Sequence, residues 1–515
     1  MHLSLTIKKH KMFNKIPENM RKAIFLMLIL LSSLNLTATV YTVTSASNSG
    51  AGTLRQAIND ANASTATPHV IRFSAALSGG VNSINITADL PEITRPVSIE
   101  GYTNAPAGLT ARAISNRTAL PVRIRFTSGA YLFGFASGSS NSSVSGIDFI
   151  VESTSSGAVA IYKGAESNAS NIHIWGCSFN YDYINNTRYA SAGTGSFFIG
   201  LYGQVGSNKV SNTSNWFIGA KNAGTEYYEG NLIAHGEVYD AVRLINVDRI
   251  TVSGNYFGVK KDGLTALRSG YAGITGINTV NVNQCVFGVY NASANGVEYQ
   301  KNIFAGFASA VQICENYETG TFPFSDYTQY YRRGSNKVSG NYIGVNKNGL
   351  PANTLSNSSG ITLLGTSYNT IGGNSNHERN YINYATYGIS LAASTYPYDR
   401  GAPTRPSYPV EYSEMMNNYI GVGINGEGSI VDGANTIGIM LGQNGGLLPT
   451  ANKNLDVSSF NTIENNIIAN STNDGIRIQQ TAQNAGYKTY NKITRNRFYN
   501  NTGRGIELRC ASLNN

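Results

Sequence analysis

Residues 461–478 read NTIENNIIANSTNDGIRI, and residues 491–508 read NKITRNRFYNNTGRGIEL. Each stretch opens with Asn, sets a β-branched residue two positions later and starts a second Asn-x-apolar unit at Asn466 or Asn496. Each then reaches a Gly-Ile phrase 14 residues after its first Asn, at Gly475 and Gly505. Alternation at period two over three to five residues marks short strands with one face buried. The intervening Gly, Asn and Ser supply turns and tolerate positive φ. The two stretches are therefore one unit written twice, and a unit too small to bury its own apolar face must stack on its neighbours.

The same unit recurs upstream. NKVSGNYI (336–343), ITVSGNYF (250–257) and NTIGG (369–373) repeat its first half; AVRL (241–244), AVQI (310–313), GITLL (360–364) and GISL (388–391) repeat its second. A longer phrase appears as NYFGVKKDGL from Asn255, NYIGVNKNGL from Asn341 and NYIGVGINGE from Asn418. Short strands in units of roughly 20–30 residues, with no helix between them, predict a parallel β-solenoid. Val and Ile then stack inside, and Asn forms amide ladders at the corners. On that count the rod has about 18–20 coils and is about 90 Å long. The uneven intervals predict loops inserted between strands.

Of the 515 residues, 41% are hydrophobic and 13% charged, with 55 Gly, 32 Tyr and 19 Phe, a composition for a folded chain rich in turns. Lys8, Lys9, Lys11, Lys15, Arg21 and Lys22 precede the apolar run 23–36, which predicts a secretory signal over residues 1–38, too short for a membrane span. This segment carries +5 of the formal +9, so the basic balance is no argument for nucleic-acid binding. Cys177, Cys285, Cys314 and Cys510 lack metal-ligand spacing and are expected to be buried, stacked thiols. In YTVTSASNSGAGTLRQAINDAN (41–62), Thr53 and Gln56 form a capping box, and Leu54, Ala57, Ile58 and Ala61 share a helical face. Residues 39–75 are thus expected to be a strand and helix cap over the first coil, with the β-helix running over 76–515.

With these phrases in place, the chain resembles secreted bacterial right-handed parallel β-helix repeat proteins of the pectin-lyase-like fold. Many of these open with a CSLREA-like motif; here Thr53 and Gln56 replace its Cys and Glu. The resemblance implies an all-β, right-handed parallel β-helix with a short N-terminal amphipathic helix cap. It covers most of the chain after the signal and implies no single activity, since such proteins include polysaccharide lyases and hydrolases.

Hydrolysis needs two carboxylates on one groove, and lyase chemistry needs a basic proton acceptor, with Ca²⁺ as the expected cofactor in that case. The best cluster is HGEVYDAVRLINVD (235–248), where His235, Glu237, Asp240, Arg243 and Asp248 fall within one coil. Arg243 alternates outward from Val242 and Leu244, as a merely solvated charge would. NDGIRI (473–478) is similar to an NTDG phrase of polygalacturonase-like hydrolases, but their later Asp pair and His turn do not follow, so Asp474 reads as a corner residue. His173 and His377 stand isolated in the sequence, and no metal motif is present. Two Pro-containing aromatic insertions, 315–334 and 395–416, are expected to project from the rod. Tyr327, Tyr330, Tyr331 and Arg332, with Tyr396, Tyr398, Tyr408 and Tyr412, would give a surface of rings and donors for sugar faces or a protein partner.

The sequence thus predicts a protein secreted or held at the outer cell surface, adhesive or glycan-binding, without catalysis and without a cofactor. Its partner would be a glycan or cell-surface component, with no nucleic acid and no membrane span after signal removal. A polysaccharide lyase or glycoside hydrolase is the alternative, and a structural stalk the third reading. Oligomeric state and continuation past Asn515 stay open.

Overall fold

The computed structural model describes residues 17, 19, 38–65, 67–78, 83–104, 120, 122–153, 155, 157–182, 185–189, 197–203, 215–221, 229–234, 240–267, 272–315, 334–352, 357–392, 410–428, 435–442, 458–480 and 490–510. Three long sheets run the length of this part, and every pairing within them is parallel between successive coils. Sheet I has 13 strands, from Thr39–Val43 to Lys492–Thr494; sheet II has 12, from Ser83–Ile86 to Arg497–Tyr499. Sheet III has 11, from Tyr131–Gly134 to Ile506–Cys510. This is a parallel β-helix with one continuous core, which extends from Val43 to Ile478.

Among the described residues the coil count is lower than the sequence predicts. Thirteen strands in the longest sheet give about 60 Å of rod, not about 90. Successive members of the main Asn ladder lie 24, 47, 39, 39, 38, 48 and 30 residues apart, because inserted segments lengthen most coils.

The amide ladders form, and all but the last member of each is buried. Asn231, Asn255, Asn302, Asn341, Asn380, Asn418, Asn466 and Asn496 line the corner before sheet II, each Nδ2 donating to the Oδ1 of the next at 2.9–3.2 Å. A second stack before sheet I runs through Asn336, Asn369, Ser413, Asn461 and Asn491. Inside the coil every backbone group must find a partner, and the Asn amide serves the previous coil twice: its Oδ1 accepts from the backbone N–H of the preceding ladder Asn, and its Nδ2 donates to a carbonyl of that coil.

The phrase NYxGVxxxG now has a physical reading. Asn341 enters the ladder, Tyr342 points outward, Ile343 is fully buried and Gly344 turns the chain at φ 71°. Val345 is buried again, and Gly349 N–H closes the turn on Asn346 O at 2.8 Å. In the equivalent phrases the outward Tyr lies on the turn glycine: a Cβ at Gly263 would meet the Tyr256 ring at 3.0 Å, and one at Gly426 the Tyr419 ring at 2.9 Å. Gly344→Ala would put a methyl 2.0 Å from Asn383 O of the next coil, in the left-handed region. It is expected to cost roughly 2 kcal/mol or more, read as a lowered denaturant midpoint.

Helix α1, Leu54–Ala63, is capped by Thr53, whose hydroxyl accepts from Gln56 N–H. Only half the expected box forms, since Gln56 Nε2 donates to Asp60 instead, at 2.6 Å. Leu54, Ala57, Ile58 and Ala61 are buried as expected, and the first three join the main core with Val43 and Phe73. The flanking strands Thr39–Val43 and His69–Phe73 already belong to sheet I, so there is no structural break at residue 75. The second insertion is also shorter than 395–416, because Glu414–Met416 is a strand of sheet I. Cys177, Cys285 and Cys314 are buried as expected, but at three different positions of the coil rather than stacked on one another. Cys177 heads the ladder before sheet II, Cys285 sits in the stack before sheet I, and Cys314 ends a strand of sheet III.

Candidate functional site

The Asp240–Arg243 pair lies on the outer face of sheet III, and its carboxylate is fully engaged. Asp240 Oδ2 accepts from Arg243 Nε at 3.0 Å and Nη2 at 2.7 Å and from Asn278 Nδ2 at 2.8 Å; Oδ1 accepts from Thr275 N–H at 3.3 Å. Four donors fill the roughly four acceptor positions of a carboxylate. Arg243 also reaches the Tyr202 hydroxyl, whose pKa burial pushes up. Strand register continues the row outward from Arg243 through Asn278, Gln312, Thr362 and Ser390. Asp474 and Arg477 repeat the same Asp-x-x-Arg pair farther along, with Nε to Oδ2 at 2.7 Å. Asp248 lies past the end of this strand, paired through its backbone to Asn283. His235 and Glu237 lie outside the described residues.

Two ionic clusters were not visible in the sequence, because their members come from different coils. Arg123, Asp148 and Ser178 occupy one outward column of sheet II. Arg123 Nε donates to Asp148 Oδ2 at 2.9 Å, and Ser178 Oγ to Oδ1 at 2.5 Å. Burial pushes the Asp148 carboxyl up against the opposing pull of Arg123. On sheet I, His173 is not isolated as its sequence surroundings suggested. Its Nε2–H donates to Gly219 O at 2.7 Å and lies 3.8 Å from Glu229 Oε2. Burial lowers its pKa, and Glu229 works against that shift. Among the described residues no group of three or more His, Cys, Asp or Glu is placed to hold a metal ion, and no helix is long and apolar enough to cross a membrane.

Of the eight loop residues expected to bind, Tyr327, Tyr330, Tyr331, Arg332, Tyr396, Tyr398 and Tyr408 lie outside the described residues. Tyr412 is described, and it belongs to the coil and to a row of four rings. Tyr368, Tyr412, Phe460 and Tyr490 each stand two residues before a strand of sheet I, in successive coils. Neighbouring rings are 5.2, 5.1 and 5.1 Å apart, with planes 9°, 7° and 10° from parallel. They are 43%, 45%, 43% and 59% exposed.

The backbone makes this row unusual. Tyr368, Tyr412 and Phe460 have φ of 59°, 51° and 56°. Bulky residues avoid that region, which Asn tolerates. The same corner in earlier coils holds Asn141, Asn171, Asn215, Arg249, Gln284 and Ser335. Stacking returns about 0.5–1.5 kcal/mol per ring pair. The row was legible in principle: each ring directly precedes a repeat phrase, as in YNTIGG, YSEMM, FNTIENN and YNKITRN.

No protein-family model and no curated protein matches this chain. Among solved structures it is similar to the A-module of the Azotobacter vinelandii mannuronan C-5 epimerase AlgE4, at 12% identity and TM-score 0.48, covering 92% of this chain and 100% of that one. It is also similar to the Streptococcus pneumoniae surface protein and adhesin PfbA (11% identity, TM-score 0.40, 92% and 100% covered). A third is a PL6 family polysaccharide lyase from Pseudopedobacter saltans (14% identity, TM-score 0.35, 89% and 92% covered). At these identities the likeness concerns the fold alone.

Proposed function

We propose that this chain is an exported, surface-associated protein that holds glycans without cleaving them. The exposed row Tyr368–Tyr412–Phe460–Tyr490 supports this reading. Large, stiff rings with polar tips suit ligands that are apolar on one side and hydroxylated on the other. The basic, apolar start of the chain supports export. A lyase or hydrolase is the second reading, favoured by the meeting of Tyr202, Arg243 and Asp240 on sheet III, since Tyr and Arg are groups that move or steady a proton.

The test mixes the signal-free chain with neutral and acidic polysaccharides, with and without Ca²⁺, and follows retention of the polymer and new chain ends. Retention without new ends is the expected result. New ends would transfer the proposal to the sheet III groups, and neither outcome would leave a bare stalk.

A further inference from the structure

Resting on the glycan-binding reading above, we propose that the aromatic row is a track for a linear, extended polysaccharide lying along the solenoid axis, one sugar residue per coil. Three geometric features point to it. The ring-to-ring intervals of 5.2, 5.1 and 5.1 Å are uniform and follow the coil spacing. A ribbon of equatorially linked pyranoses advances by nearly the same length per residue, so ring and sugar stay in phase over the whole row.

Beside the rings runs a matching polar row. Thr370, Glu414, Thr462 and Lys492 stand two positions after Tyr368, Tyr412, Phe460 and Tyr490, and register places them side by side in successive coils. All four are partly or fully exposed. Each coil therefore offers one apolar ridge and one hydrogen-bonding group, and each pyranose has a carbon-rich side and an edge of hydroxyls. The corner chemistry is the third feature. Asn serves at three other coils of this same corner, yet four consecutive coils carry aromatics, three of them at positive φ. Stacking alone offsets that backbone cost only in part if the left-handed strain is at the upper end of its range.

The experiment titrates the signal-free chain with β-1,4-linked gluco-oligosaccharides and mannurono-oligosaccharides of two to six residues by calorimetry. It is repeated on the double variant Tyr412→Asn, Phe460→Asn, which installs the residue used elsewhere at this corner. Affinity should rise roughly threefold or more with each residue up to four and then level off. The double variant should lose at least about tenfold in affinity while keeping its Tm. Affinity already complete at the disaccharide, or unchanged in the variant, would overturn the track and leave glycan binding standing. A variant with lowered Tm and unchanged affinity would make the row a structural stack. If no polysaccharide of the wider panel is retained, the underlying reading fails as well.

Discussion

Asn341→Ala is expected to destabilise the solenoid by on the order of 3–5 kcal/mol, whereas Asn496→Ala at the end of the same ladder should cost about 1 kcal/mol or less. Asn341 is fully buried. Its Oδ1 accepts from Asn302 Nδ2 at 3.0 Å, while its Nδ2 donates to Asn380 Oδ1 at 3.0 Å and to Phe287 O at 2.9 Å. Truncation removes three buried hydrogen bonds: one N–H of Asn302 and the Phe287 carbonyl, both in the preceding coil, lose this partner, while Asn380 Oδ1 in the following coil keeps only the Asn341 backbone N–H, and each lost bond carries a desolvation penalty. Asn496 is only partly buried: its Oδ1 accepts from the Asn466 N–H and Nδ2 and its Nδ2 donates to Ile463 O, but as the last ladder member it has water at hand to replace these bonds when they are lost. In a stacked array the loss should stay local, so hydrogen exchange should quicken in the strands flanking Asn341 first. Equal, small losses for both variants in guanidinium unfolding would show that the ladder decorates the corner without holding it.

Lys163→Met is expected to raise stability by roughly 2–3 kcal/mol at pH 7, and the gain should vanish near pH 10.5. Lys163 is 1% exposed and pairs in register with Leu201, in the inward-facing row that continues to Leu244. Its Nζ donates to Tyr202 O at 2.7 Å. Burial lowers its pKa from 10.5 to about 8, against the weaker pull of Glu166. Between these two values the unfolded chain binds more protons than the folded one, so stability of the unmodified protein rises with pH across this window. Below pH 8 both states are protonated and the penalty is complete; above 10.5 it is gone. Met keeps the length of the side chain and removes the charge, at the cost of one bond to the Tyr202 carbonyl. Thermal midpoints of both proteins from pH 7 to 10.5 check this. Parallel curves, with no convergence, would falsify the assignment of the penalty to Lys163.

Much of the fold was written locally. Period-two alternation and left-handed Asn and Gly corners define each strand and turn over a few neighbouring residues, so NTIENNII and GIRI needed no tertiary knowledge to be recognised. Thr53 at the start of α1 is equally local, because a cap bonds to the next turn of its own helix. The length of the coils was less accessible, since an insertion changes residue spacing without changing the coil it leaves. The sequence therefore determined that this chain builds parallel coils around stacked aliphatic residues and Asn ladders. Only the tertiary structure decided which side chains meet across coils. Asp148 with Arg123 and His173 with Glu229 join residues of different coils, set side by side by the pairing between coils; each ring from Tyr368 to Tyr490 is marked in the sequence by the repeat phrase that follows it, and the same pairing then brings the four together.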